Sequence, residues 1–266
     1  MTRGSILRLA CLYWLAMLTC GLPAAAQTLP APPPVEASGL LTRSDFSLML
    51  ALLGTDDPRF TADGSLTADV DLFGYGTGRA NLFIDYEGTL GNERHDFDLN
   101  QGNYVLEASA SRRFGPVEVA GVFRHASRHL SDRVHLGSIS WNVFGVRALH
   151  QWKAGRSTID ARLDVGKVYE PHFVDYQWTN DIRIGLRRPI SPRVALFAGG
   201  HGELIRVDPA KVRDHGPCGA RVEAGVRLQG TAAALELFVG YERRIDAFPT
   251  DRSRVRLLAF GFRIYG

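Results

Sequence analysis

Thr158-Ile159-Asp160-Ala161-Arg162-Leu163-Asp164-Val165-Gly166-Lys167-Val168 decides how this chain folds. Ile159, Ala161, Leu163 and Val165 alternate with Thr158, Asp160, Arg162, Asp164 and Gly166. A helix would scatter these charges around its circumference; a strand places them all on one face. The same period of two returns in 180–187, with Asp181, Arg183, Gly185 and Arg187 against Ile182, Ile184 and Leu186. It returns in 219–228, with Arg221, Glu223, Gly225 and Arg227 against Val222, Ala224, Val226 and Leu228. In 235–244, Leu235, Leu237, Val239 and Tyr241 oppose Glu236, Gly240, Glu242 and Arg244, with Phe238 breaking the pattern.

Carried outward from these segments, the alternation predicts about twelve strands: 45–53, 64–73, 79–87, 103–114, 117–127, 137–152, 157–168, 176–188, 193–207, 218–228, 232–244 and 253–265. Many are near the ~9–11 residues that a tilted membrane strand needs, and exceed the ~5–6 usual in a soluble sandwich. The connections alternate in length. Short ones fall at 74–78, 115–116, 153–156, 189–192 and 229–231. Longer ones fall at 54–63, 88–102, 128–136, 169–175, 208–217 and 245–252. Short periplasmic turns, longer outer loops and an even strand number characterise bacterial outer-membrane barrels. The expected fold is an all-β, closed antiparallel transmembrane β-barrel, with both ends of the barrel chain in the periplasm and odd-numbered strands running outward.

The segment before the barrel fits this location. Arg3 and Arg8, the apolar stretch Leu9 to Thr19, and Ala24-Ala25-Ala26 before Gln27 form a secretory signal over residues 1–26. Met17-Leu18-Thr19 makes a poor lipobox for Cys20. Pro30, Pro32, Pro33 and Pro34 make 27–44 an extended periplasmic linker, and 45–266 is the barrel. Cys11 and Cys20 leave with the signal, so Cys218 has no partner for an internal disulfide. With 45% hydrophobic and 22% charged residues and a mean hydropathy of −0.08, the chain is too apolar to be disordered. Removing Arg3 and Arg8 from the 31 basic residues leaves 29 against 28 acidic ones, without a basic cluster. That balance offers no nucleic-acid partner; the expected partners are outer-membrane lipids.

The alternative is a soluble periplasmic β-sandwich with the apolar face inward. Export, loop alternation and the number of aliphatic side chains, too many for a lumen this narrow, assign that face to lipid instead. Closure follows, because an open edge in hydrocarbon leaves backbone groups unpaired. Trp141, Trp152, Tyr169, Tyr176 and Trp178 sit near strand ends, as an interfacial girdle does. The opposite face, with Asp160, Arg162, Asp164, Asp181, Arg183, Arg187, Arg221, Glu223, Arg227 and Glu236, carries both signs interleaved. In a twelve-stranded lumen these groups pair across the interior, which predicts a plugged or very narrow barrel.

One stretch suggests chemistry: Arg124-His125-Ala126-Ser127-Arg128-His129-Leu130-Ser131-Asp132. His125 and Ser127 lie two apart, on one strand face, with Cα atoms about 7 Å apart. They continue the lipid-facing row Val117, Val119, Gly121 and Phe123 to the outer rim. A His and a Ser facing lipid there are costly without water access or a purpose, and the spacing suits an imidazole taking a serine proton. Arg124, Arg128 and Arg133 lie around this rim as candidate lipid-phosphate ligands.

The string His125-Ala-Ser127-Arg-His129-Leu-Ser-Asp132 resembles an uncharacterised bacterial family with a His-x-Ser-Ser-His-Leu-Gly-Asp motif. A lipid-facing His-x-Ser pair at the outer end of a barrel strand also resembles, more distantly, the outer-membrane phospholipase A family, a twelve-stranded barrel, and the lipid A 3-O-deacylases. These resemblances imply a serine acyl esterase acting on outer-leaflet lipid, with Ser127 as nucleophile and His125 as general base. The phospholipase resemblance implies a divalent cation such as Ca2+. The hydrolases carry Asn after the Ser where this chain has Arg128, and they use a third, orienting residue. Asn142 matches by position, although its alternation with Ser138 and Ser140 points it inward unless a β-bulge re-aims it. Asp132 is the other candidate. Val255 to Tyr265 resembles the C-terminal strand that barrel-assembly machinery recognises, except that Gly266 stands at the end.

Plainer readings stand beside these. The 124–132 stretch also fits a polar rim and loop on a non-catalytic structural barrel or narrow channel. His125, His129, His135 and Asp132 make a weak metal set, having no tight ligand spacing. His201-Gly-Glu203 repeats the one-residue spacing, but its face includes Ala195 and Gly199 and belongs with the lumen. Gly74 to Gly78 is a turn without the strand–loop–helix setting of a phosphate site.

Overall fold

A computed structural model of the chain describes residues 38–131, 139–208, 210, 216–248 and 253–266. The proposed signal, residues 27–37 of the linker, Asp132, Arg133 and His135 lie outside the described residues. Twelve strands follow in order: β1 (Ser38–Gly54), β2 (Ala62–Tyr75), β3 (Arg79–Gly91), β4 (Asp98–Phe114), β5 (Val117–Leu130), β6 (Ile139–Ala154), β7 (Ser157–His172), β8 (Tyr176–Ser191), β9 (Val194–Val207), β10 (Cys218–Gln229), β11 (Ala234–Arg244) and β12 (Val255–Tyr265). Each pairs antiparallel with its sequence neighbours, and β12 returns to β1, closing the barrel. Phe46 and Gly266 exchange backbone hydrogen bonds of 3.1 and 3.0 Å at the seam. No strand edge is left open to lipid.

All twelve expected strands are present, and several are longer. β1 begins at Ser38, inside the stretch read as linker, and β4 begins at Asp98 rather than 103. Beyond the apolar band the ladder continues through Gly, Asn and Ser, which carry no hydrophobic alternation. Connections 76–78, 115–116, 155–156, 192–193 and 230–233 close one end tightly; 55–61, 92–97, 131–138, 173–175, 208–217 and 245–254 span the other. Gly115 and Gly155 open two of the tight turns at φ +59° and +61°, where a side chain would be strained.

The outer wall is apolar. Leu48, Leu50 and Leu52 of β1, Leu237 and Val239 of β11, and Leu258 and Phe260 of β12 all face outward and are exposed. The interior is polar and closely paired. Glu107 meets Arg147 at 2.5 Å and Arg124 at 2.9 Å. Asp164 meets Arg162 at 2.6 Å and Arg147 at 2.7 Å. Toward the tight-turn end, Arg79 bridges Asp71 and Glu118. On the far wall, Arg263 bridges Glu223 and Glu236, and Arg244 joins Asp63 and Glu242. A cavity of about 30 Å³ between Arg43, Asp69, Arg79, Asn81, Glu118 and Arg147 has room for roughly one water.

Above this network, apolar side chains from the long connections turn into the mouth. Phe60, Ala247 and Phe248 pack with Leu130, Val255 and Leu257. Ile245 packs with Val143, Val168, Tyr176 and Ile205. Two members of the expected aromatic girdle belong here. Tyr176 is buried, donates to Asp246 Oδ2 at 2.6 Å, and meets Trp141 edge-on at 5.3 Å. Trp141 shares its parity with inward Val143, and a register shift between Tyr176 and Trp178 turns Tyr176 inward. Trp152, Tyr169 and Trp178 do face outward. With ion pairs below and an apolar cap above, purified barrel is expected to give negligible current in planar-bilayer recordings. Large, stable open-channel steps would contradict a packed lumen.

Candidate active site

Parity places the candidate residues. Along β5, Glu118, Ala120, Val122 and Ala126 are buried inward, so Phe123, His125, Ser127 and His129 face out. Along β6, Arg147 and Val143 point inward, so Ser140, Asn142, Phe144 and Val146 face out. The β5–β6 register sets His125 directly opposite Asn142 and Ser127 directly opposite Ser140. Asn142 therefore faces lipid, not the lumen. At the rim the outward row itself turns polar, so polarity no longer marks the interior, and the expectation drawn from Ser138 and Ser140 fails.

His125 Nδ1 lies 2.8 Å from Asn142 Oδ1. Asn142 Nδ2 donates to Glu170 Oε2 at 2.9 Å. A carboxylate only accepts, so this second bond fixes the amide with its oxygen toward the histidine. That oxygen in turn requires Nδ1 to carry the proton, which leaves Nε2 of the neutral ring with its lone pair.

Glu170 was not among the residues singled out from sequence. Its parity in β7 is that of inward Val168 and Gly166. The β6–β7 ladder shifts register between Ser140 and Asn142, pairing them with His172 and Tyr169, and Glu170 takes φ +47° in the extra stretch. The bulge turns its carboxylate outward to the amide. The local signal was Tyr169-Glu170-Pro171-His172, where Pro171 interrupts a strand's ladder.

Aromatic and aliphatic side chains border the polar patch. Tyr104 and Leu106 of β4 lie opposite Ser127 and His125. Tyr104 meets His129 edge-on at 5.3 Å. Phe144 lies 4.9 Å from Phe123 and 5.5 Å from Tyr169. Phe123 and Phe144 make an apolar shelf one row toward the membrane centre, while Tyr104 and Tyr169 flank the patch of hydroxyl, imidazole and amide groups at its own level.

Two of the three arginines expected at lipid phosphates lie elsewhere. Arg124 is in the lumen, with Glu107 at 2.9 Å, Asp181 at 3.6 Å and Asp164 at 3.7 Å. Arg128 donates to the Asp246 carbonyl at 2.6 Å and stacks over Trp141 inside the mouth. Their even parity on β5 is the lumen parity. Arg133 and the alternative third residue, Asp132, lie outside the described residues. His201 is buried inward with its Nε2 3.0 Å from Asp181. Among the described residues, no group of three or more His, Cys, Asp or Glu side chains could hold a metal ion. Those present therefore do not fit a calcium cage built from such ligands.

No family model matches the chain, and no curated protein matches it in sequence. Solved structures match it in fold. An outer membrane channel from Pseudomonas putida F1 superposes with a TM-score of 0.57 at 10% identity, covering 88% of this chain and 98% of that one. Outer membrane phospholipase A from Escherichia coli gives 0.52 at 10% identity, over 85% and 92%. A Salmonella typhi outer membrane phospholipase dimer with bound calcium gives 0.53 at 12% identity, over 84% and 90%. At these identities the likeness speaks for the fold. The protein is a twelve-stranded β-barrel of the Gram-negative outer membrane.

Proposed function

We propose that this barrel is a serine-dependent acyl esterase acting on outer-leaflet lipid, phospholipid or lipid A. The observation that carries the reading is the 2.8 Å bond from His125 to Asn142 on the lipid-facing wall, with Ser127 the next residue of the same face along β5. Ser127 Oγ attacks the ester carbonyl carbon while His125 Nε2 takes the hydroxyl proton. The tetrahedral adduct then expels the alkoxide, which receives that proton from Nε2, leaving an acyl-serine. Water, deprotonated by Nε2, hydrolyses the acyl-serine and returns the proton to Ser127. Asn142 holds the ring in the productive tautomer, and Glu170 holds Asn142. Leu106, Phe123 and Phe144 provide apolar surface for the acyl chain. Residues 1–26 serve as the export leader, and barrel-assembly machinery engages β12.

The test is fatty-acid release from phospholipid and from lipid A in mixed micelles. No release by the wild type, with or without calcium, ends the reading. A non-catalytic barrel would then remain, which the likeness to a channel fold supports as well as the likeness to a phospholipase fold supports hydrolysis. Within the esterase reading the supporting residues are graded. Asn142→Ala loses one hydrogen bond to a group that becomes charged, about 1.5–3 kcal/mol, so kcat falls about ten- to a hundredfold. Glu170→Gln still accepts from the amide, and kcat falls less than about tenfold. Equal losses for both substitutions would contradict a chain ordered from His125 outward.

A further inference from the structure

Along the middle of the outer wall, outward side chains are apolar or small. At the outer ends of β11 and β12 the row changes. Arg243 continues the outward series Leu237, Val239, Tyr241, and Arg256 precedes Leu258 and Phe260. The register sets the two arginines directly opposite each other. Directly opposed like charges on one face of an antiparallel pair destabilise it, with Cβ atoms only about 4.5–5.5 Å apart. The neighbouring inward arginines are neutralised: Arg244 by Asp63 and Glu242, Arg263 by Glu223 and Glu236. Among the described residues neither Arg243 nor Arg256 meets a carboxylate, and Arg243 Nε is buried without a hydrogen-bond partner. Ala220, opposite Arg243 on β10, crowds it little. Val222, Tyr241 and Leu258 form the next row toward the membrane centre, all exposed.

We propose that Arg243 and Arg256 form a site for the phosphate group of a phosphorylated outer-leaflet lipid. One phosphate between the two guanidinium forks cancels their repulsion and accepts from both. The apolar row below gives the lipid's acyl chains a surface at the depth they occupy. The site is five to six strands around the barrel from His125 and Ser127, so it stands or falls independently of the esterase reading.

The full chain, purified in a nonionic detergent, is mixed with bisphosphorylated lipid A, lipid A stripped of its phosphates, phosphatidylglycerol or inorganic phosphate, and bound lipid is read by native mass spectrometry. Retention of the phosphorylated lipids, but not of stripped lipid A, is expected. The R243Q/R256Q double variant should lower that retention at least about tenfold. R243K/R256K should keep part of it. Arg188→Gln, outward at the tight-turn end of β8, should match the wild type. Heat-modifiable gel mobility confirms that each variant is folded. Undiminished retention by R243Q/R256Q, or equal retention of stripped lipid A, overturns the site. Displacement of the lipid by millimolar inorganic phosphate overturns its assignment to lipid and leaves a free-anion site.

Discussion

Ser127→Ala barrels are expected to fold normally and to release fatty acid at least about a thousandfold more slowly than the parent. The hydroxyl lies on the outer wall opposite Ser140, away from the ion pairs that hold the lumen, so its removal leaves gel mobility unchanged. His125→Ala should cost a similar factor, because members of a nucleophile–base unit act together and their losses do not add. The double variant should then be no slower than either single one. Activity retained by both single variants sinks the assignment of nucleophile and base. A wild type without activity sinks the esterase altogether.

The largest expected loss of stability is at Glu107. Its side chain is 1% exposed and faces Arg124, Arg147 and Arg162. Glu107→Ala leaves Asp164 and Asp181 to answer three guanidinium groups in a buried interior. Removing one partner of a buried ion pair costs about 3–5 kcal/mol, mostly from the uncompensated charge left behind. The variant should therefore lose its heat-modifiable mobility at a clearly lower temperature. Glu107→Met combined with Arg147→Met should recover much of the loss, since it removes one charge of each sign and refills the volume. If the double variant is no more stable than Glu107→Ala, the stranded charge is not the cause of the loss.

The strand count, the order of the strands and the face that each residue occupies were legible in segments such as 158–168, because a lipid wall and a charged lumen impose opposite polarity on alternate residues. The same rule explains what was not legible. At the rim both faces are polar, so Asn142 read as inward although it pairs with His125. Arg124 and Arg128 read as rim ligands, although their parity commits them to the lumen and mouth. Glu170 reaches the site through a bulge, and one extra residue reverses every parity argument beyond it. Phe60, Ile245 and Phe248 sit in connections, where no periodicity announces that they fold back to close the mouth.

The capped, ion-paired interior separates this protein's working directions. If the recordings bear out a packed lumen, the cylinder has no use for the gradient of solutes between the two compartments, and it can be abundant without short-circuiting the barrier in which it sits. The proposed chemistry lies on its circumference, where molecules arrive by two-dimensional diffusion at concentrations set by the composition of one leaflet. On the esterase reading, encounter rates should therefore follow mole fraction within the membrane rather than molarity in the medium, and a released fatty acid would depart sideways into the same sheet from which its parent lipid came.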